Sequence, residues 1–253
     1  MAQKYDLYNL GASSEQPPLD SRHLIEVKKA SNKGRGIFAK AALPRGTRVV
    51  AESPLLSPNT QGSLRTPINL EQLFQALPED KQSAYVQLYG DAGDFVKQIV
   101  DEDFETELGR KLSAIYYLNR IEDDLLWLGS IFNHSCIPNI CYTHNAATKK
   151  YTFQTIHAVE AGEELTISYL GGVIESREKR QDEFGRQWNF HCLCQACTDD
   201  AKEQQLVDLI LLWKKHEADV KNRQSYKERL PTLQSLARLT LSSGLVGAEL
   251  STW

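Results

Sequence analysis

At 253 residues the chain has room for one large domain, or a domain with a smaller appendage, around a substantial core. Its 41% hydrophobic and 25% charged content is that of an ordinary globular protein, and a formal net charge of −4 offers no basic footprint, so direct nucleic-acid binding is not expected. No apolar run approaches the ~18 residues of a membrane span, so no membrane partner is expected either.

Residues 1–21 read as a flexible lead-in, with Ser13-Ser14, Pro17-Pro18 and no apolar signal-peptide core. From His23 to Leu56 the pattern is strand-like: Leu24-Ile25-Glu26-Val27 and Val49-Val50-Ala51 are separated by turns such as Pro44-Arg45-Gly46. The period then changes. Leu70, Leu73, Phe74 and Leu77 share one helical face behind Asn69 as cap, and Pro78 ends that helix and starts another carrying Tyr85, Leu88 and Tyr89 up to Gly90. The acidic run Asp101 to Glu107 reads as a solvated helix face.

Strand character returns at Ile140–Thr143, Lys150–Ala158 and Glu164–Tyr169, with a turn at Ala161-Gly162. Beyond Ser176 helices are predicted at Glu178–Trp188, 201–218 and 224–242. The stripes Leu206, Leu209, Ile210, Trp213 and Leu230, Leu233, Leu236, Leu239 make the last two an antiparallel hairpin.

Four short motifs carry the chemistry. Cys192, Cys194 and Cys197, in C-x-C-x-x-C spacing, supply three thiolates to a zinc ion that favours four tetrahedral ligands; His191 adjoins them and is open as a ligand. Without a signal peptide, that spacing reads as intracellular metal binding rather than a disulfide framework, in cytoplasm, nucleus or both. The turn Lys33-Gly34-Arg35-Gly36 allows a close backbone approach to a ligand, but alone reads as a hairpin turn, and no third glycine or helix follows as in a dinucleotide fingerprint. Finally, Asn133-His134-Ser135-Cys136-Ile137-Pro138-Asn139 is followed by Glu164-Leu165-Thr166-Ile167-Ser168-Tyr169. Taken singly, His134 is a structural histidine, Tyr169 a packing residue at a strand end and Phe190 a core aromatic.

In this order the motifs resemble the SET-domain lysine methyltransferases, and within them the subfamily in which SET is split by a MYND zinc finger. The resemblance spans roughly residues 22–198. It implies a mostly-β SET fold (a β-clip with a pseudoknot) over 22–172, with a helical insert at about 54–125, a zinc-bound post-SET loop over 173–200 and a small helical part over 201–253. It implies S-adenosylmethionine as cofactor, held by Lys33, Gly34, Arg35, Ser130, Asn133, His134, Tyr169 and Phe190, with Tyr169 catalytic. It also implies one structural Zn²⁺ on Cys136, Cys192, Cys194 and Cys197, leaving Cys141 as a buried strand thiol. The implied partner is a lysine-bearing protein or peptide, bound by a monomer.

The sequence departs from the subfamily in two places. Residues 54–110 contain no cysteine or histidine, so no MYND finger sits there. At Leu118-Asn119-Arg120-Ile121, Asn119 matches a cofactor asparagine only loosely. The helical tail is also too short for the long helical lobe of some relatives, which leaves a small-molecule amine as an alternative acceptor. A third reading is a non-catalytic binding module on the same scaffold.

Overall fold

A computed structural model describes residues 21–31, 33–58, 70–170 and 175–243. The lead-in and the Asn69 cap lie outside these residues.

Strands β1 (Ile25–Lys29) and β2 (Arg35–Ala39) form an antiparallel hairpin over the Gly34 turn, where φ is +70°. Beyond the helical insert, β9 (Glu164–Ile167) joins the other edge of β2, antiparallel, through Ile37–Leu165 and Phe38–Glu164. On the far side of β9 lies β6, only Asn133 and His134 long. It runs parallel, with Asn133 opposite Thr166 and His134 opposite Ile167. A second antiparallel sheet takes the order β3 (Arg48–Glu52), β8 (Lys150–Thr155), β7 (Ile140–Asn145), and a minimal hairpin pairs β4 (Arg120–Ile121) with β5 (Asp124–Leu125). Strands β1, β2, β3, β8 and β9 put apolar residues inward. Ile25, Ile37, Val50, Phe153 and Leu165 are all nearly or fully excluded from solvent in one core.

Among its described residues the insert holds four helices: α1 (Leu70–Gln75), α2 (Glu79–Val86), α3 (Asp94–Asp103) and α4 (Glu107–Asn119). Pro78 stands at the N-cap of α2, where its missing N–H costs nothing. The second predicted helix is shorter than expected, because Leu88 and Tyr89 lie past its end. The acidic run is exposed apart from partly buried Phe104, but it straddles a break: α3 stops at Asp103, and Thr106 caps α4 by accepting the Gly109 N–H at 2.8 Å. Helix α4 was not anticipated, although Leu112, Ile115 and Tyr116 recur at helical spacing and are buried.

After the body come α5 (Arg177–Trp188), the single turn α6 (Gln195–Thr198) and the hairpin of α7 (Asp200–Lys221) and α8 (Tyr226–Ser243). Leu206 and Leu209 pack with Leu236, and with Trp213 and Leu239, whereas Leu230 of the second predicted stripe is exposed. The expected mostly-β description needs correction. The strands are two to six residues long, so helical residues outnumber strand residues even though the sheets build the body. Cys141 is also not the buried thiol expected; it lies half-buried on β7.

Candidate active site and cysteine cluster

The two-residue β6 decides the site. Its parallel pairing sets Asn133 and His134 beside the strand that runs on into Tyr169. Asn139 clamps the loop after β6, since its amide oxygen accepts the Thr166 N–H at 2.8 Å and its amide nitrogen donates to the Glu164 carbonyl at 2.8 Å. The Ser135 N–H adds a bond to the Ile167 carbonyl at 3.0 Å.

Tyr169 opens onto a cavity of about 1140 Å³ whose wall includes Asn119, Ser130, Phe132, Tyr142 and Trp188. Its hydroxyl donates to the Phe132 carbonyl at 2.8 Å. Burial, together with the nearby Glu164 carboxylate and the Tyr89 phenol, pushes the phenol well above its ordinary pKa of 10, so the hydroxyl keeps its proton. Trp188 lies 5.3 Å away between ring centroids and is itself fixed by an indole N–H bond to the Leu118 carbonyl at 3.0 Å. Asn119 is committed to the scaffold: its amide donates to the carbonyls of Tyr89 and Ile115 at 2.6 and 2.7 Å. The Ser130 hydroxyl lies within hydrogen-bonding distance of the carbonyls of Asn119 and Leu126, and its one proton is shared between them. Behind it, Glu52 reaches through the core to accept the N–H groups of Leu128 and Gly129 at 3.1 and 2.5 Å, which holds the turn that presents Ser130.

The Lys33-to-Gly36 turn forms a second group beside this cavity, and its residues are not part of the cavity wall. Lys33 pairs with Glu164 at 3.0 Å. The Asn133 amide donates to the same Glu164 carboxylate at 2.7 Å and to the Arg35 carbonyl at 2.9 Å. A Cβ at Gly36 would stand 2.6 Å from Glu164 Oε1 and 2.7 Å from Asn133 Nδ2, so a larger residue would push these two side-chain ends aside. The Arg35 guanidinium turns away, donating to the Gln87 carbonyl and lying over the Trp127 ring. Glu164, which was read only as part of a strand motif, is thus the residue that joins Lys33 to Asn133. No sequence signal separates it from its neighbour Glu163.

Phe190 stacks on Phe184 at 5.0 Å and meets Tyr169 edge-on at 6.4 Å. His134 fills the space between them, 4.4 Å from Phe184 and 5.3 Å from Tyr169. Burial lowers its pKa from 6.5 to about 3, with Arg180 and Lys33 acting in the same direction against Cys194, so the imidazole is neutral.

Below this aromatic layer, Cys136, Cys192, Cys194 and Cys197 bring all four sulfurs within 4.8 Å of one another. The Cys136 and Cys197 sulfurs are 3.6 Å apart, too far for a disulfide and close to the ~3.8 Å edge of a tetrahedron with metal–sulfur bonds of about 2.3 Å. Packed this closely, the thiols hydrogen-bond to one another, which holds Cys194 and Cys197 below their ordinary range and pushes Cys136 and Cys192 above it. Four soft sulfur donors at this spacing fit a soft divalent cation. His191, exposed beside the cluster, is not among the clustered ligand atoms. Two contacts brace the site. Arg180, buried on α5, donates to the Cys197 sulfur at 3.7 Å and pairs with Glu203 of α7 at 2.7 Å.

The SET domain family model matches residues 34–170. Histone-lysine N-methyltransferase set5 of Schizosaccharomyces pombe is 27% identical over 187 residues, covering 74% of this chain and 54% of that protein. Histone-lysine N-methyltransferase SMYD3 of Mus musculus is 26% identical over 204 residues, 75% of this chain and 47% of that protein. A SET and MYND domain-containing protein of Dictyostelium discoideum is 27% identical over 129 residues, 44% of this chain and 33% of that protein. The chain spans about half the length, or less, of these relatives. The match over more than half of the chain shows that this protein belongs to the SET-domain family.

Proposed function

We propose that this protein is an S-adenosylmethionine-dependent N-methyltransferase acting on lysine side chains of a protein or peptide. The carrying observation is the parallel pairing of Asn133-His134 with the strand that delivers Tyr169 to the cavity. The names of two relatives, histone-lysine N-methyltransferases, support the same reaction class.

The residues present fit the cofactor. Lys33 and Glu164 offer a cation and a carboxylate to a zwitterionic amino-acid end, Asn133 an amide, and Phe190 a flat apolar face. Lys33, Gly34, Arg35, Ser130, Asn133, His134, Tyr169 and Phe190 are the proposed binding set. When bound, S-adenosylmethionine supplies a methyl group activated on a sulfonium.

Tyr169 does the orienting. Its proton is committed to the Phe132 carbonyl, which leaves the oxygen lone pairs as a fixed dipole for the reacting centre. Its raised pKa disfavours a general-base role. A lysine must arrive as the neutral amine although its ordinary pKa is about 10.4, and desolvation against Phe132, Tyr142 and Trp188 favours that form. Zn²⁺ is the proposed occupant of the four-cysteine cluster, where it would pin the 192–197 loop to Cys136.

The proposal keeps the SET body at 22–172 with its pseudoknot and helical insert, the zinc segment at 173–200, the helical hairpin at 201–253, a monomeric state and a cytoplasmic or nuclear setting. The test is mass spectrometry of lysine-containing histone peptides and of small amines incubated with zinc-loaded protein and S-adenosylmethionine. A methyl-sized mass gain on peptide lysine is expected. A gain on small amines alone would reassign the acceptor, and no gain on either would overturn the reading.

A further inference from the structure

We propose that His134 is a positioning residue that ties the cysteine cluster to the backbone of Tyr169. One face of its ring accepts the Tyr169 N–H at Nδ1, at 3.0 Å. The other ring nitrogen, Nε2, lies 3.3 Å from the Cys136 sulfur. A neutral imidazole has one N–H, and since Nδ1 accepts, that hydrogen is on Nε2 and points at the sulfur. The same ring thus bonds a proposed metal ligand and the residue proposed to orient the methyl transfer.

The competing roles for His134 do not fit the geometry. It is not one of the clustered ligand atoms, which are four sulfurs. It does not line the cavity, and its one acceptor nitrogen is already engaged, so it is not placed to take a proton from substrate. Its residue is buried to 5% exposure between Phe184, Tyr169 and Phe190, so the ring cannot turn without disturbing all three.

Cys136 is the one member of the cluster that comes from the body, and the other three come from the 192–197 loop. A cation held by the four cysteines would fix the Cys136 sulfur in place, and through the Nε2–H contact would fix the ring and with it the Tyr169 N–H. Metal occupancy thereby reaches the end of the β9 strand through two hydrogen bonds. The coupling rests on the proposed function only for what Tyr169 does; the bonds themselves do not depend on it.

The first test uses the metal-loaded protein with cadmium-113 in place of zinc. Imidazole nitrogen shifts are expected to report the Nε2–H form, with scalar couplings from cadmium to the His134 Nε2–H proton and between Tyr169 N and His134 Nδ1. An Nδ1–H form, or absence of both couplings, overturns the proposal. The second test compares variants. His134→Asn keeps an acceptor near Nδ1 but cannot reach the sulfur, and is expected to lose about 10–100-fold in zinc affinity. His134→Gln reaches the sulfur but not the Tyr169 N–H; it is expected to keep zinc affinity and to lose kcat. Unchanged zinc affinity in His134→Asn overturns the link. If that variant fails to fold, His134→Gln decides, since weakened zinc binding or undiminished kcat there counts against the link. Wild-type protein that shows the couplings but transfers no methyl would overturn the proposed function and leave the link standing.

Discussion

Tyr169 and Glu52 illustrate how single side chains set the site. Tyr169 holds its proton because it is buried beside a carboxylate, so phenolate forms only above pH 10. The rate of transfer is therefore expected to rise with pH as the acceptor lysine deprotonates, and to show no falling limb from Tyr169 at or below pH 10. A descending limb near pH 9 that Tyr169→Phe abolishes would contradict this. Glu52 accepts two N–H groups in the core, and Glu52→Ala strands both. It is expected to cost about 2–4 kcal/mol of stability in urea denaturation. A loss under 0.5 kcal/mol would mean that water replaces the carboxylate. The motif residues around these two were legible because their types are unusual in combination. Glu164 was not, because an acidic residue at a strand start reads as solvated until β2 and β6 close around it.

At the scale of elements, packing between helices depends on two contacts that spacing alone does not announce. Gly93 caps α3 against the end of α5, with its N–H on the Gln187 carbonyl at 3.0 Å. A Cβ there would stand 2.2 Å from the Arg186 carbonyl oxygen and 2.4 Å from that of Gly185. Gly93→Ala is expected to destabilise by about 1–3 kcal/mol, measured by thermal unfolding, through separation of α3 from α5. An unchanged midpoint would show that the backbone gives way freely. Arg180 of α5 and Glu203 of α7 form a buried pair, and Glu203→Ala leaves the guanidinium uncompensated at about 3–5 kcal/mol. Helices α5 and α7 were readable from 3.6-residue periodicity, and the hairpin of α7 and α8 came within a few residues, whereas α3 was not read from the sequence. By contrast β6 is two residues long, and no periodicity exists over two residues. Its parallel pairing, on which the site depends, became visible only in three dimensions.

For the whole molecule, the cluster joins segments far apart in the chain: Cys136 in the body and the loop that precedes α7. The sheet body has its own core, whereas Phe184, Phe190 and the cysteines form a separate small cluster. Chelation is therefore expected to open residues 189–199 to protease while the described body over 70–170 stays protected; equal cleavage in both would show that the metal site supports the body as well. The proposed role of Tyr169 is to orient methyl transfer from S-adenosylmethionine. Its most direct test is transfer of labelled methyl to peptide lysine by zinc-loaded wild type and Tyr169→Phe, with cofactor affinity measured on both. Equal affinity with most of the transfer lost in the variant is the predicted result, and undiminished transfer by Tyr169→Phe would contradict it.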